Sequence, residues 1–481
     1  MPATPSPVVR PLDWFGQFGV DRDAIRRVLS EATAHGADDA DLYFEHTEST
    51  SVGLSDGAVN RAHTTVDLGV GVRVVIGDQV GYAYTEDLSL ESMLRAARTA
   101  SAIARDSGAK QPQFVEAARD LPDFYPVDRH WSEVDLSVRV PMVRDWEARA
   151  FAQDDRVRKV RVNLGDADKH VLLARADGTI VADYRPMTRA VVGVTAADGD
   201  LRESGSYNVA SRGDLSYYTA DRQERLVTRS VERALRAIHA GSPPAGEMPV
   251  VLAAGSSGIL LHEAIGHGME ADFNRKGTSI YADKLGKRIA PPQVTIVDDA
   301  TLPGARGSLN VDDEGSATEK TVLVEDGVLR SYLHDRISAR HYGVDSTGSG
   351  RRESFRHTVL PRMRATYMEP GPHDPSEIIG SVKKGLYCEV FANGAVQIGA
   401  GDFSFYVRHG RLIEDGKLTE PVKDVNLIGF GPKVLEAIEM VGNDLEIDEG
   451  GWTCGKDGQG VPVSQGMPTV KVGSLSVGGG R

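Results

Sequence analysis

The chain has 481 residues, a net charge of −14 and a 40% hydrophobic content, enough for two to four domains with ordinary buried cores. The acidic balance argues against a general nucleic-acid or anionic-membrane binder. Two cysteines give no disulfide framework, the N-terminal residues lack an apolar signal region, and no run approaches a spanning helix, so a cytoplasmic setting is expected.

Residues 1–13 are Pro-rich and read as a loose tail. A helix is predicted over about 22–35: Asp21 can cap it, Ala24, Ile25, Val28, Leu29 and Ala32 make one apolar stripe, and Gly36 ends it. Strands follow at 40–47, 50–55, 58–65, 68–76 and 80–85, with turns at Asp56-Gly57 and Gly77-Asp78. A helix at about 88–106 closes this unit. Residues 108–134 carry spaced prolines without periodicity and read as a linker. The plan then recurs: a helix at about 135–152; strands at 157–163, 168–175, 179–185, 188–197 and 200–208 with Asp177-Gly178 and Asp198-Gly199 turns; and a helix at about 219–239. After GSPPAG (241–246), MPVVLAAG reads as a short buried strand. From 293 onward the chain is mostly short strands, with hairpin signals at Asp326-Gly327, Asn393-Gly394 and Asp415-Gly416, and helices expected at 375–384 and 431–441. The fold class is α+β. Its expected division is 1–107, a linker over 108–134, a middle region 135–241, and a β-rich C-terminal domain 246–481.

One stretch carries chemistry: GSSGILLHEAIGHGMEADF, residues 255–273. It holds His262, Glu263 and His267. Imidazoles are good zinc ligands, and a neighbouring carboxylate can take a proton from metal-activated water. In the familiar zinc-protease helix the histidines are four apart. Here they are five apart, which places them about 140° apart around a regular helix. They can share a metal only if the helix bulges or ends there, and an i→i+5 bulge would serve. Gly266 and Gly268 flank the second histidine and ease distortion. From spacing alone, two structural histidines are an equal alternative.

A catalytic zinc needs a further protein ligand. Cys388, Cys454, His334, His341 and His357 lie in the same region, with several acids. Cys454 sits in GGWTCGKDGQG, where glycines suggest a loop with an exposed thiol, which favours a ligand. Cys388 sits in a strand-like stretch and reads better as a small core residue. The acid clusters Asp298-Asp299 and Asp312-Asp313-Glu314 read as solvated turns rather than cation sites. No phosphate loop, dinucleotide fingerprint or G-x-S-x-G elbow is present.

HEAIGHGMEADF, RGSLNVDDEGSATEKTVLVEDGVL, GSGRRESFRHTVLPRM, KDVNLIGFGPKVLEAIEMVGNDLEI and TCGKDGQGVPVSQGMPTVKV, in this order across 255–473, resemble the TldD family of metalloproteases. The related PmbA (TldE) branch lacks the His-Glu-x-x-x-His pattern, so the resemblance is to the metal-bearing side. It implies zinc held by His262, His267 and Cys454, with Glu263 as general base acting on a zinc-activated water. It implies hydrolysis of short or unfolded peptides held extended along strands. It further implies a heterodimer with a PmbA/TldE-like subunit, or a homodimer. The competing readings are a non-catalytic peptide-binding or assembly subunit with a structural metal site, and a metal-dependent amidase acting on a non-peptide amide.

Overall fold

The computed structural model describes residues 11–104, 117–118, 121–397 and 399–479. It is a mixed α+β protein whose C-terminal part is rich in strands, as the sequence pattern predicts. Most of the expected tail and the first half of the expected linker lie outside the described residues.

The strands of the first 240 residues pair into one sheet. Its order runs Gln79–Thr85, Ala58–Ile76, Asp39–Ser55, Val157–Arg175, Thr179–Asp198, with Leu201–Ser211 on the last. Several predicted strands are halves of longer ones. Residues 40–55 form one strand, Asp39–Ser55, which pairs with Ala58–Ile76 from Asp39 opposite Val75 to Ser55 opposite Ala58. The polar run between the halves marks where the strand leaves the core, and the backbone ladder continues through it. Thr50 and Thr64 are cross-strand partners there, with hydroxyls 2.9 Å apart.

Alternation sets what each face meets. Leu42 and Phe44 turn toward Ile25 and Val28 of the helix Arg22–Ala32 and Met93 of Leu90–Ser101. Tyr43, between them, packs with Val311 and Phe355 of the C-terminal region. Farther along, Val52 and Leu54 join Trp146 of the helix Leu136–Gln153 and Leu226 of Ala220–Ile238. Residues 121–134 pack against this sheet instead of hanging free. Trp131 is buried, with its backbone N–H 3.1 Å from Asp168 and its indole N–H on Gly213. The helix Pro11–Gly16 likewise begins inside the stretch expected to be tail.

Among the described residues, two large sheets and a two-stranded pair, Gly350–Arg351 with Leu360–Pro361, make the C-terminal region. The first runs Lys417–Phe430, Asp402–Glu414, Lys384–Val396, Gly246–Leu252, Val470–Gly479, Ile438–Val441, and closes by pairing Val425–Ile428 with Ser476–Gly479. The second places Gln459–Met467 beside Ala365–Met368 and holds the short strand Trp452–Lys456 on its outer side. The core between them joins Val250, Leu260, Ile265, Met363, Phe405 and Met467.

Turn chemistry holds at Asp56-Gly57, Asp326-Gly327 and Asp415-Gly416, where both residues have positive φ, as a two-residue hairpin turn requires. Asn393-Gly394 is a correction. It lies inside the strand Lys384–Val396, with Gly394 opposite Phe405. A side chain at 394 would overlap the Phe405 ring, so this glycine serves close packing and makes no turn. The helix expected at 431–441 stops at Glu436, because Ile438–Val441 alternates and pairs with Val470–Gly479. The helix expected at 375–384 likewise spans only Pro375–Gly380.

Buried ion pairs tie the first sheet to the C-terminal region. Asp41 accepts from Arg73 at 2.5 Å and from Arg352 at 3.0 Å, and Arg185 joins Asp183 to Asp313. Among the described residues no helix is long and apolar enough to cross a membrane.

Candidate metal centre

The strand Gly246–Leu252 leads, through a 3₁₀ turn at Ser256–Gly258, into a short helical segment that then changes pitch twice. Ile259–Leu261 is α-helical, His262–Gly266 is π-helical and His267–Met269 is a 3₁₀ turn. The backbone N–H of His267 donates to the carbonyl of His262, an i→i+5 bond. This is the bulge that a five-residue spacing needs if both rings are to face one point. The ring centroids stand 5.1 Å apart at 86°. Gly266 makes the bulge fit: a Cβ there would overlap the Met363 sulfur.

Cys454 reaches the same point from the strand Trp452–Lys456. Its Sγ is 3.4 Å from Nε2 of His267, and ligand atoms of His262, His267 and Cys454 all lie within 4.8 Å of one another. All three side chains are buried. The expected exposed loop at Cys454 is a correction: the glycines flank a hairpin strand, with Cys454 opposite Val461 and the turn at Asp457-Gly458.

The donor set fits a zinc ion. Two imidazoles and a thiol, spread over less than 4.8 Å, suit metal bonds of about 2.0–2.3 Å. Nδ1 of His262 is buried without a hydrogen-bond partner. Burial alone would raise the Cys454 thiol, but His262 and His267 outweigh it and hold it well below its ordinary range. Burial would lower His267, but Glu270 and Cys454 hold it well above its ordinary value. The pocket therefore favours a thiolate, the form that binds metal.

Glu263 follows His262 in the π-helical turn and is half-buried. Burial pushes its carboxyl upward, against the pull of His262 and His267. Gly394 lies alongside; a Cβ there would stand 3.4 Å from Cγ of Glu263.

The other sequence candidates fall elsewhere. Cys388 is buried in Lys384–Val396 opposite Gly410, and burial raises its thiol. Neither His334 nor His357 joins the cluster; the His357 ring meets Ser354. The acid clusters are buried and paired, so solvated turns is corrected. Asp298 pairs with Arg364 at 2.6 Å, Asp313 with Arg185 at 2.5 Å, and Asp312 accepts from three backbone N–H groups. Sequence reasoning missed a layer behind the ligands: Glu270, Asp272, Arg362 and Lys456, all buried. Glu270 could have been noticed, because it follows His267 by three residues. Arg362 and Lys456 carry no local signal.

Three family models match: the PmbA/TldA metallopeptidase domain 1 over residues 40–104, the central domain over 129–238 and the C-terminal domain over 245–479. The chain is 39% identical over 449 residues to a metalloprotease TldD homolog of Haemophilus influenzae, covering 92% of this chain and 93% of that protein. It is 33% identical to a zinc metalloprotease TldD homolog of Saccharolobus solfataricus, over 63% of this chain and 67% of that one. The crystal structure of TldE from Thermococcus kodakarensis superposes with a TM-score of 0.74 at 18% identity, over 95% of this chain and all of that one.

Proposed function

The chain belongs to the PmbA/TldD metallopeptidase family, and from that footing we propose that it is a zinc-dependent peptidase acting on short or unfolded peptides bound in extended form. The observation that carries the proposal is the convergence of His262, His267 and Cys454 beside Glu263. His262, His267 and Cys454 would hold the ion. A zinc ion there would supply a Lewis acid that polarises the scissile carbonyl and lowers the pKa of water.

The chain's own acid–base work falls to Glu263. Its carboxylate takes the proton from water as the water oxygen bonds to the carbonyl carbon. The same carboxyl then gives the proton to the amine nitrogen as the C–N bond breaks, so one water is consumed per peptide bond. Burial raises this carboxyl, which brings base and acid forms closer in energy near neutral pH. The surrounding buried side chains limit bulk water.

An extended substrate is supported by the strand that carries Cys454. Among the described residues, Trp452–Lys456 has a strand neighbour on one side only, Gln459–Met467. Its outward backbone groups, at the exposed Thr453 and Gly455, can accept an added strand. We assign the chemistry to residues 246–481, with 1–107 and 135–241 as the preceding units joined through 108–134. We also take the working form to be a dimer, with a PmbA/TldE-like subunit or a second copy; the likeness to a TldE fold supports this. A cytoplasmic setting is part of the reading, supported by two unbridged thiols.

The test is metal content and cleavage of an unstructured peptide, measured on the same samples. Wild type should hold about one zinc and cleave in a chelator-sensitive way. Glu263→Gln should keep the zinc and lose roughly 10²–10⁴-fold in turnover. Cleavage by this variant at the wild-type rate refutes the role given to Glu263, and a folded wild type that takes up no zinc refutes the metal site.

A further inference from the structure

Behind the proposed ligands lies a closed set of charges. Oε2 of Glu270 is 3.0 Å from Nδ1 of His267 and 3.1 Å from Nζ of Lys456. Lys456 also reaches Oδ1 of Asp272 at 2.8 Å and the Pro361 carbonyl at 3.1 Å, and lies over the Phe273 ring. Glu270 is fully buried. Arg362, 3.9 Å from Oε1 of Glu270, donates to the Cys454 carbonyl.

Two features make this more than core electrostatics. An ionised carboxylate can only accept hydrogen bonds. It therefore requires Nδ1 of His267 to carry a proton, so in the neutral ring, the form that binds a metal, Nε2, the nitrogen facing Cys454, is the one left with a lone pair. His262 has no such constraint, because its Nδ1 has no partner. Further, Lys456 lies two residues beyond Cys454 on one strand, so both side chains point to the same face. One carboxylate thereby ties the helical ligand to the strand ligand. The two are joined by side chains 184 residues and more apart.

We infer that Glu270 is a positioning residue for the metal centre: with Lys456 it sets the ring orientation and tautomer of His267 and holds the Cys454 strand at bonding distance. This inference rests on the metal reading above. Carboxylates that orient metal-bound histidines typically matter 10–100-fold in metal affinity.

The test uses the full chain, stripped of metal and titrated with zinc and with cobalt(II) against a competing chelator. Cobalt's visible absorption reports the ligand geometry. The variants are Glu270→Gln, the double variant Glu270→Gln with Lys456→Met, which removes both charges of the Glu270–Lys456 pair, and His267→Ala as control. Circular dichroism monitors the fold. Both Glu270 variants should bind each metal 10–100-fold more weakly, with shifted cobalt absorption. A folded double variant with wild-type affinity and spectrum overturns the inference while leaving the metal site standing. Equal metal uptake by wild type and His267→Ala overturns the metal reading, and this inference with it.

Discussion

Acidification from pH 7.5 to 5 should cost this protein about 2 kcal/mol through His409 alone. His409 lies on the strand Asp402–Glu414, opposite Lys423, and is 2% exposed. Its Nε2 has no partner. Burial is the main force against its charged form, and Arg233 and Arg236 on the helix Ala220–Ile238, the adjacent Arg408 and Lys423 across the ladder add to it. Together they push the imidazole down to about 3. A free histidine titrates near 6.5. Between those values the unfolded chain takes up a proton that the folded chain refuses. The stabilisation is therefore complete above pH 6.5 and is lost as pH falls toward 3. At pH 5 the loss spans about 1.5 pH units at about 1.4 kcal/mol each. Urea unfolding of metal-free wild type and His409→Gln at pH 7.5, 6.5 and 5 isolates the effect, because the other titrating groups cancel in the difference. The stability difference between the two proteins should shift by about 2 kcal/mol in favour of the variant on acidification. A difference that stays constant with pH would show that His409 is charged or solvated in the folded state.

The remaining predictions concern the metal centre and its frame. Gly266→Ala should force Met363 from the π-helical turn, costing about 1–3 kcal/mol in thermal or urea unfolding and weakening zinc uptake; a variant matching wild type in both would mean the turn has slack. Cys454→Ala should lower zinc content by metal analysis while Cys388→Ala leaves it unchanged, and the reverse pattern would reassign the thiol ligand. Asp298→Ala would strand Arg364, which is fully buried, and should cost about 3–5 kcal/mol; a loss below 1 kcal/mol would mean water reaches that guanidinium.

The sequence by itself determined whatever depends on neighbours along the chain. The helix Arg22–Ala32 was legible because its cap and its five buried apolar residues lie within a dozen positions. The Asp-Gly hairpin turns were legible because positive φ is a local demand. The five-residue histidine spacing showed that only a bulged helix could bring both rings to one metal, and the ordered motifs that resemble the TldD family pointed to Cys454. Tertiary structure decided the rest. Strand ends were misplaced because pairing, which the local pattern does not contain, carries a ladder across polar stretches such as 47–51. Asn393-Gly394 looked like a turn because the ring that packs on Gly394, Phe405, lies eleven residues away. The acid clusters looked solvated because their arginine partners, Arg364, Arg185, Arg73 and Arg352, lie far along the chain. Cys454 looked exposed for the same reason. Its burial, and the Glu270–Lys456 contact behind it, come from packing a strand near the C-terminus against a helix some 190 residues earlier. Local propensity reports what a segment can do; only long-range contacts decide which charges find partners and which thiol meets which histidine.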